Sequence, residues 1–130
     1  TAPLETAEDL DRHSFVKCAV GEDNNIMYCF RRSPAPASFD VQKRYIRKML
    51  GLIAFRRDFL EQFQFMPSSL AERAESIEQM RIIENGFRLI SVPFDFSLPS
   101  VNEPAESQLI EKHLEFNEHQ RVLLKEIFPD

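Results

Sequence analysis

Few side chains in this sequence combine a reactive type with a spacing that chemistry needs. Arg32 leaves the end of a strand-like run, just ahead of Ser33-Pro34-Ala35-Pro36. A guanidinium there can hold a carboxylate or phosphate with its planar fork; the plainer alternative is a solvated arginine. Glu78 and Gln79 lie between the apolar positions Ile77 and Met80, so they border the buried face of their helix. Carboxylate and amide can accept and donate hydrogen bonds, though both residues are also ordinary surface helix formers. Glu72 and Glu75 share that helix, and Glu72, three residues after Ser69, is accounted for as a capping-box partner. Asn102 suits the N-cap of a final helix.

The remaining candidates carry less. His113 and His119 are six positions apart on a helix and so face different ways, unlike the four-residue spacing of a metal pair. Cys18 and Cys29 lack the C-x₂-C spacing of zinc sites and read as buried, reduced core thiols. Lys43, Arg44, Arg47 and Lys48, with Arg56 and Arg57 beyond, form either an anion-binding patch or a solvated loop beside a buried strand. No Ser-His-Asp or Cys-His context is present. Neither G-x-G-x-x-G nor G-x-x-x-x-G-K-[ST] occurs among only three glycines, which excludes a complete Rossmann dehydrogenase or P-loop NTPase.

The elements that must position these residues follow from local pattern. Thr6 to His13 is a short polar helix with Thr6 as N-cap and Asp9 three residues on. Phe15 to Val20 and Ile26 to Phe30 are strands around the turn-rich Gly21–Asn25. Met49 to Phe55 is a continuous apolar run and predicts a buried strand. Arg56 to Phe65 predicts a helix stopped by Pro67, and Ser69 to Glu84 a longer helix closed by Asn85-Gly86. Phe87 to Phe94 predicts a strand, and about Pro104 to Phe128 a long helix. Strands interleaved with helices give an α/β class, and 130 residues give a single domain.

A hydrophobic content of 43% is enough to offset chain entropy, which argues against disorder. A net charge of −5 disfavours general affinity for nucleic acid or anionic lipid. No apolar stretch reaches the length of a membrane span, and the acidic N-terminus is not a signal peptide. The expected location is cytoplasmic.

Four blocks in order then resemble one family. Val16-Lys17 followed by Met27-Tyr28-Cys29-Phe30-Arg31-Arg32-Ser33-Pro34-Ala35-Pro36 is similar to a V-K … Y-F-S-R-x-P-I-P block. Gly51-Leu52-Ile53-Ala54-Phe55-Arg56 is similar to G-I-Y-G-Y-R. Glu72 to Arg81, ending Glu78-Gln79-Met80-Arg81, is similar to L-E-x-x-E-x-x-E-Q-L-R, and Val101-Asn102-Glu103-Pro104 stands where the family has V-D-T-P. The chain thus resembles the C-terminal half of the acidic-sugar cytidylyltransferases, the CMP-Kdo synthetase family.

The resemblance implies the C-terminal portion of a nucleotidyltransferase mixed-sheet fold, an enzyme that transfers CMP from CTP to an acidic, Kdo-like sugar and releases pyrophosphate. It implies Arg32, Glu78 and Gln79 as substrate-binding residues, Asn102 at the family's metal position, Mg²⁺ as cofactor, and a homodimer. The family's CTP loop lies in the half not seen here, so this chain alone is expected to be inactive. Met49 stands at the family's sugar-binding histidine, Phe55 at a tyrosine, and Ser97-Leu98-Pro99-Ser100 at a P-G-T-G turn. Those departures keep a second reading open, a non-catalytic relative acting as a dimerisation or sugar-acid-binding module.

Overall fold

The computed structural model describes residues 1–97, 101 and 104–128, and its described residues form two compact units, Thr1–Ser97 and Leu98–Asp130. In the first, alternating apolar residues build a three-stranded antiparallel sheet: β1 (Lys17–Val20) lies between β2 (Ile26–Phe30) and β3 (Ile46–Lys48). Cys18 faces Cys29 across β1 and β2, and Arg47 across β1 and β3. The β1–β2 turn needs one left-handed residue, Asn24 at φ 60°, a conformation that asparagine tolerates.

Strand alternation sends side chains to two faces, and each face has its own core. On one, Cys18, Val20, Ile26 and Cys29 meet Ile77 and Met80 from the helical segment. On the other, Phe30 and Ile46 meet Leu4 and Leu10, the latter from a 3-10 turn over Ala7–Leu10. The Asp9 carboxylate anchors that turn by accepting from the backbone N–H of Glu5 and Thr6 at 2.8 and 3.0 Å. Both cysteines are free thiols, and burial pushes them up to about 11 for Cys18 and about 12 for Cys29, as expected of inert core residues. Lys17 is fully buried. Its ammonium donates to the carbonyls of Arg12 and Phe15 and sits 4.8 Å from the Phe15 ring centroid, and desolvation lowers its pKa to about 8.

The helices are α1 (Phe39–Gln42), α2 (Arg57–Phe63), α3 (Leu70–Glu75) and α4 (Gln79–Glu84). Ser69 and Glu72 form the expected capping box: the Ser69 hydroxyl accepts from Glu72 N–H at 3.3 Å, and the Glu72 carboxylate accepts from Ser69 N–H at 3.0 Å. The expected 69–84 helix is nevertheless two helices. Ser76 turns left-handed at φ 56°, so Ile77 and Met80 enter the core while Leu70 stays 72% exposed. Gly86, at φ 78°, closes α4 in the conformation a glycine C-cap permits.

Two expected strands do not form. The chain leaves the sheet after Lys48, so the apolar run 49–55 is irregular and Leu52 is 90% exposed. Residues 87–94 run alongside the sheet with a single isolated bridge, Asn25 to Ile90. In each case the backbone lacks a continuous partner, and apolar pattern alone cannot supply a ladder. Four phenylalanines make a satellite cluster instead: Phe55, Phe59 and Phe63 stack at 5.6–6.2 Å, and Phe87 meets Phe59 edge-on at 5.0 Å.

The second unit holds a 3-10 turn (Pro104–Glu106), α5 (Ser107–Phe116) and α6 (Glu118–Ile127). The expected single helix breaks at Asn117, whose side-chain oxygen accepts from Gln120 N–H at 3.1 Å and caps α6.

Candidate functional site

Two segments converge at the C-terminal end of β2 and the α3–α4 junction. Arg31 joins them. Its guanidinium donates to the carbonyls of Glu75 (3.2 Å), Ser76 (3.3 Å) and His13 (3.0 Å), while its backbone N–H donates to the Glu75 carboxylate at 3.2 Å. Tyr28 reaches the same carboxylate at 3.4 Å, and burial with the Glu75 charge raises the phenol's pKa. On the buried side, Met80 Sδ lies 3.2 Å from Cys29 N–H, so α4 is fixed to β2 by packing as well.

Arg32, the next residue, points to solvent and forms no hydrogen bond or ion pair among the described residues. Its backbone is held from both sides. Beyond the Arg31 clamp, Ser33 N–H donates to Leu10 O at 3.0 Å, and the Ser33 hydroxyl donates to the buried Gln42 amide. That amide in turn donates to the carbonyls of Ala35 (3.3 Å) and Ala37. The two prolines cannot pair as a strand, so Gln42 supplies the bonds that fix the segment. A guanidinium on so fixed a backbone loses less entropy when it closes on an anion.

Glu78 is exposed and Gln79 half-buried at the start of α4, two and three residues past the Ser76 carbonyl that Arg31 holds. Ile77 and Met80, 2% and 1% exposed, anchor the backbone on either side of the pair. The structure therefore brings the β2 end and the Glu78-Gln79 pair to one region without direct bonds between their side chains. Behind them, Arg81 pairs with Glu72 at 2.5 Å and stacks 5.0 Å from the Phe63 centroid. The Arg81 hydrogen bond is the main cause that holds Glu72 down at about 2. Glu72 is thus committed to scaffold, as its capping position suggests.

Arg31, Gln42 and Ser76 escaped sequence reasoning as parts of this site. Arg31 looks identical to Arg32 in one dimension, and the Gln42 contacts span up to nine positions. Ser76 had a faint signal, since serine competes with the helix for backbone bonds.

Asn102 lies outside the described residues. Among the described residues no three His, Cys, Asp or Glu side chains gather as a metal cluster. Met49, at the family's histidine position, is half-buried with its sulfur 3.5 Å from the Cys29 thiol, a packing role. No described helix is long and apolar enough to cross a membrane.

No family model matches the chain. It is 33% identical over 111 residues to the 3-deoxy-manno-octulosonate cytidylyltransferase of Chlorobium limicola, covering 85% of this chain and 44% of that protein. It is 38% identical over 101 residues to the enzyme of the same name from Synechococcus elongatus, covering 77% of this chain and 41% of that protein. A solved CMP:2-keto-3-deoxy-manno-octonic acid synthetase complexed with CTP superposes with a TM-score of 0.73 at 29% identity, over 88% of this chain and 48% of that one. The chain thus spans somewhat under half the length of these relatives. The α/β class and the partial nucleotidyltransferase fold agree with that neighbour. By sequence and by structure, the chain is a relative of the 3-deoxy-manno-octulosonate cytidylyltransferase family and matches its C-terminal part.

Proposed function

We propose that this chain supplies the acidic-sugar side of a cytidylyltransferase site, in a protein that transfers CMP from CTP to 3-deoxy-manno-octulosonate and releases pyrophosphate. The observation that carries the reading is the division of labour at the end of β2. Arg31 spends its guanidinium on the α3–α4 junction that leads into Glu78 and Gln79, while Arg32, the next residue, is exposed and without a hydrogen bond or ion pair among the described residues. In this reading Arg32 takes the sugar carboxylate through paired N–H donors, and Glu78 and Gln79 take hydroxyls. A homodimer is the proposed assembly, and light scattering of the purified chain at micromolar concentration tests it, a strict monomer counting against it.

Calorimetric titration of the 130-residue chain with 3-deoxy-manno-octulosonate tests the site directly. Replacing Arg32 by Ala is expected to weaken binding at least about tenfold, the loss of one charge-assisted pair. Glu78→Gln and Gln79→Ala should each weaken it by less. Unchanged affinity in Arg32→Ala, or no binding by the parent chain, refutes the assignment.

A further inference from the structure

The contacts that pack the sheet on α4 also gather sulfur. The sequence has two cysteines and four methionines, and Cys18, Cys29, Met49 and Met80 all belong to one core cluster. The backbone shows how the two thiols meet. Val16 C=O accepts from Met49 N–H at 2.9 Å, and Val20 N–H donates to Tyr45 O at 2.8 Å, both toward the β3 side. Cys18, midway between them, turns its backbone the same way. Cys29 N–H points away from β1, to Met80 Sδ at 3.2 Å. Cys18 and Cys29 are direct partners in register. They are therefore a non-hydrogen-bonded pair, the narrow kind, with Cα atoms about 4.5 Å apart and side chains on one face.

A third sulfur comes from the residue after β3. Met49 Sδ lies 3.5 Å from Cys29 Sγ, and Cys18 Sγ lies 3.6 Å from the Arg47 carbonyl, both weak contacts. Met80 Sδ is already taken by the Cys29 N–H and closes the inner side. Both cysteines are fully buried, whereas Met49 is half-buried, so the cluster approaches the surface at Met49. The rest of the cluster is aliphatic: Val20, Ile26, Ile77, Ile83 and Leu89 among others. Thiol and thioether donors without hard oxygen or nitrogen select a soft ion such as Cu(I), whereas structural Zn²⁺ takes four Cys, His or carboxylate ligands.

We propose that Cys18, Cys29 and Met49 form a binding site for one Cu(I) ion. On binding, the ion displaces one thiol proton, R–SH + Cu⁺ giving R–S–Cu + H⁺. The proton leaves to solvent and no electron is transferred. The product is neutral, which suits an apolar shell where an uncompensated charge is costly. The second thiol and the Met49 thioether complete the coordination as uncharged donors. The bound ion ties β1, β2 and the end of β3 together. The proposal does not rest on the sugar-acid reading, so either can fail while the other holds.

Anaerobic titration of the 130-residue chain with Cu(I), supplied on the chromophoric chelator bicinchoninate, tests it. One ion per chain should transfer from the chelator, and the unfolding temperature should rise, as for any ligand of the folded state alone. Met49→Leu, which conserves volume, should weaken binding at least about tenfold, the loss that follows when even a supporting group around a metal is removed. Met27→Leu, at a position of β2 that is 52% exposed, should match the parent. Cys29→Ala should abolish transfer; should it fail to fold, Met49→Leu decides alone. The proposal is overturned by no transfer to the parent chain, by unchanged affinity in Met49→Leu, or by loss of both thiols to a Cys18–Cys29 disulfide without bound copper.

Discussion

Arg31 donates from its guanidinium to three backbone carbonyls, whereas Arg32, adjacent in sequence, donates to none among the described residues. Truncating the two should separate scaffold from site. Arg31→Ala is expected to cost about 1–2 kcal/mol in urea unfolding, because carbonyls of Glu75 and Ser76 lose their donor. Arg32→Ala should stay within about 0.5 kcal/mol. Equal losses would mean that Arg32 is structural too. Glu72 gives a pH signature. Its carboxyl titrates near 2 in the fold against an ordinary 4.5, so its contribution is complete above pH 4.5 and is lost as pH falls toward 2. Glu72→Gln should therefore be less stable than the parent at neutral pH, with the gap closing between pH 4.5 and 2. A gap independent of pH would remove the ion pair with Arg81 as its cause.

At the scale of elements, the capping box at Ser69 and the glycine closure at Gly86 were legible because each is a local transaction within a few residues. The break at Ser76 was not, since it is settled by Arg31 and by the docking of Ile77 and Met80 on the sheet. A non-glycine residue at φ 56° carries strain of about 1 kcal/mol. Ser76→Gly should thus be neutral or stabilising by up to about 1 kcal/mol in thermal or urea unfolding, while Ala74→Gly inside α3 should cost about 1 kcal/mol. A loss at Ser76 equal to that at Ala74 would contradict the left-handed break. The expected strands at 49–55 and 87–94 failed for a different reason. Their apolar composition suits a sheet interior, but a strand exists only through its neighbour's backbone, and among the described residues 50–55 have no ladder while 87–94 have an isolated bridge to Asn25 and the two bonds to Thr1.

For the whole molecule, the twelve phenylalanines and scarce glycines describe a chain with ample core and no phosphate-binding loop of its own. Much apolar surface stays outside that core: Leu52, Phe65 and Leu70 are 90%, 82% and 72% exposed. Single exposed apolar residues need no explanation. By itself the sequence determined the local events: the hairpin around Gly21–Asn25, the caps, the reduced thiols, and the motif blocks that place the chain beside the cytidylyltransferases. Tertiary structure decided which of two neighbouring arginines is free, where the 69–84 helix breaks, and which apolar runs become strands. The physical reason is range. Caps and turns are satisfied within a few residues, whereas a guanidinium's partners and a strand's ladder come from residues distant in the chain, and the pattern of one segment does not contain the other.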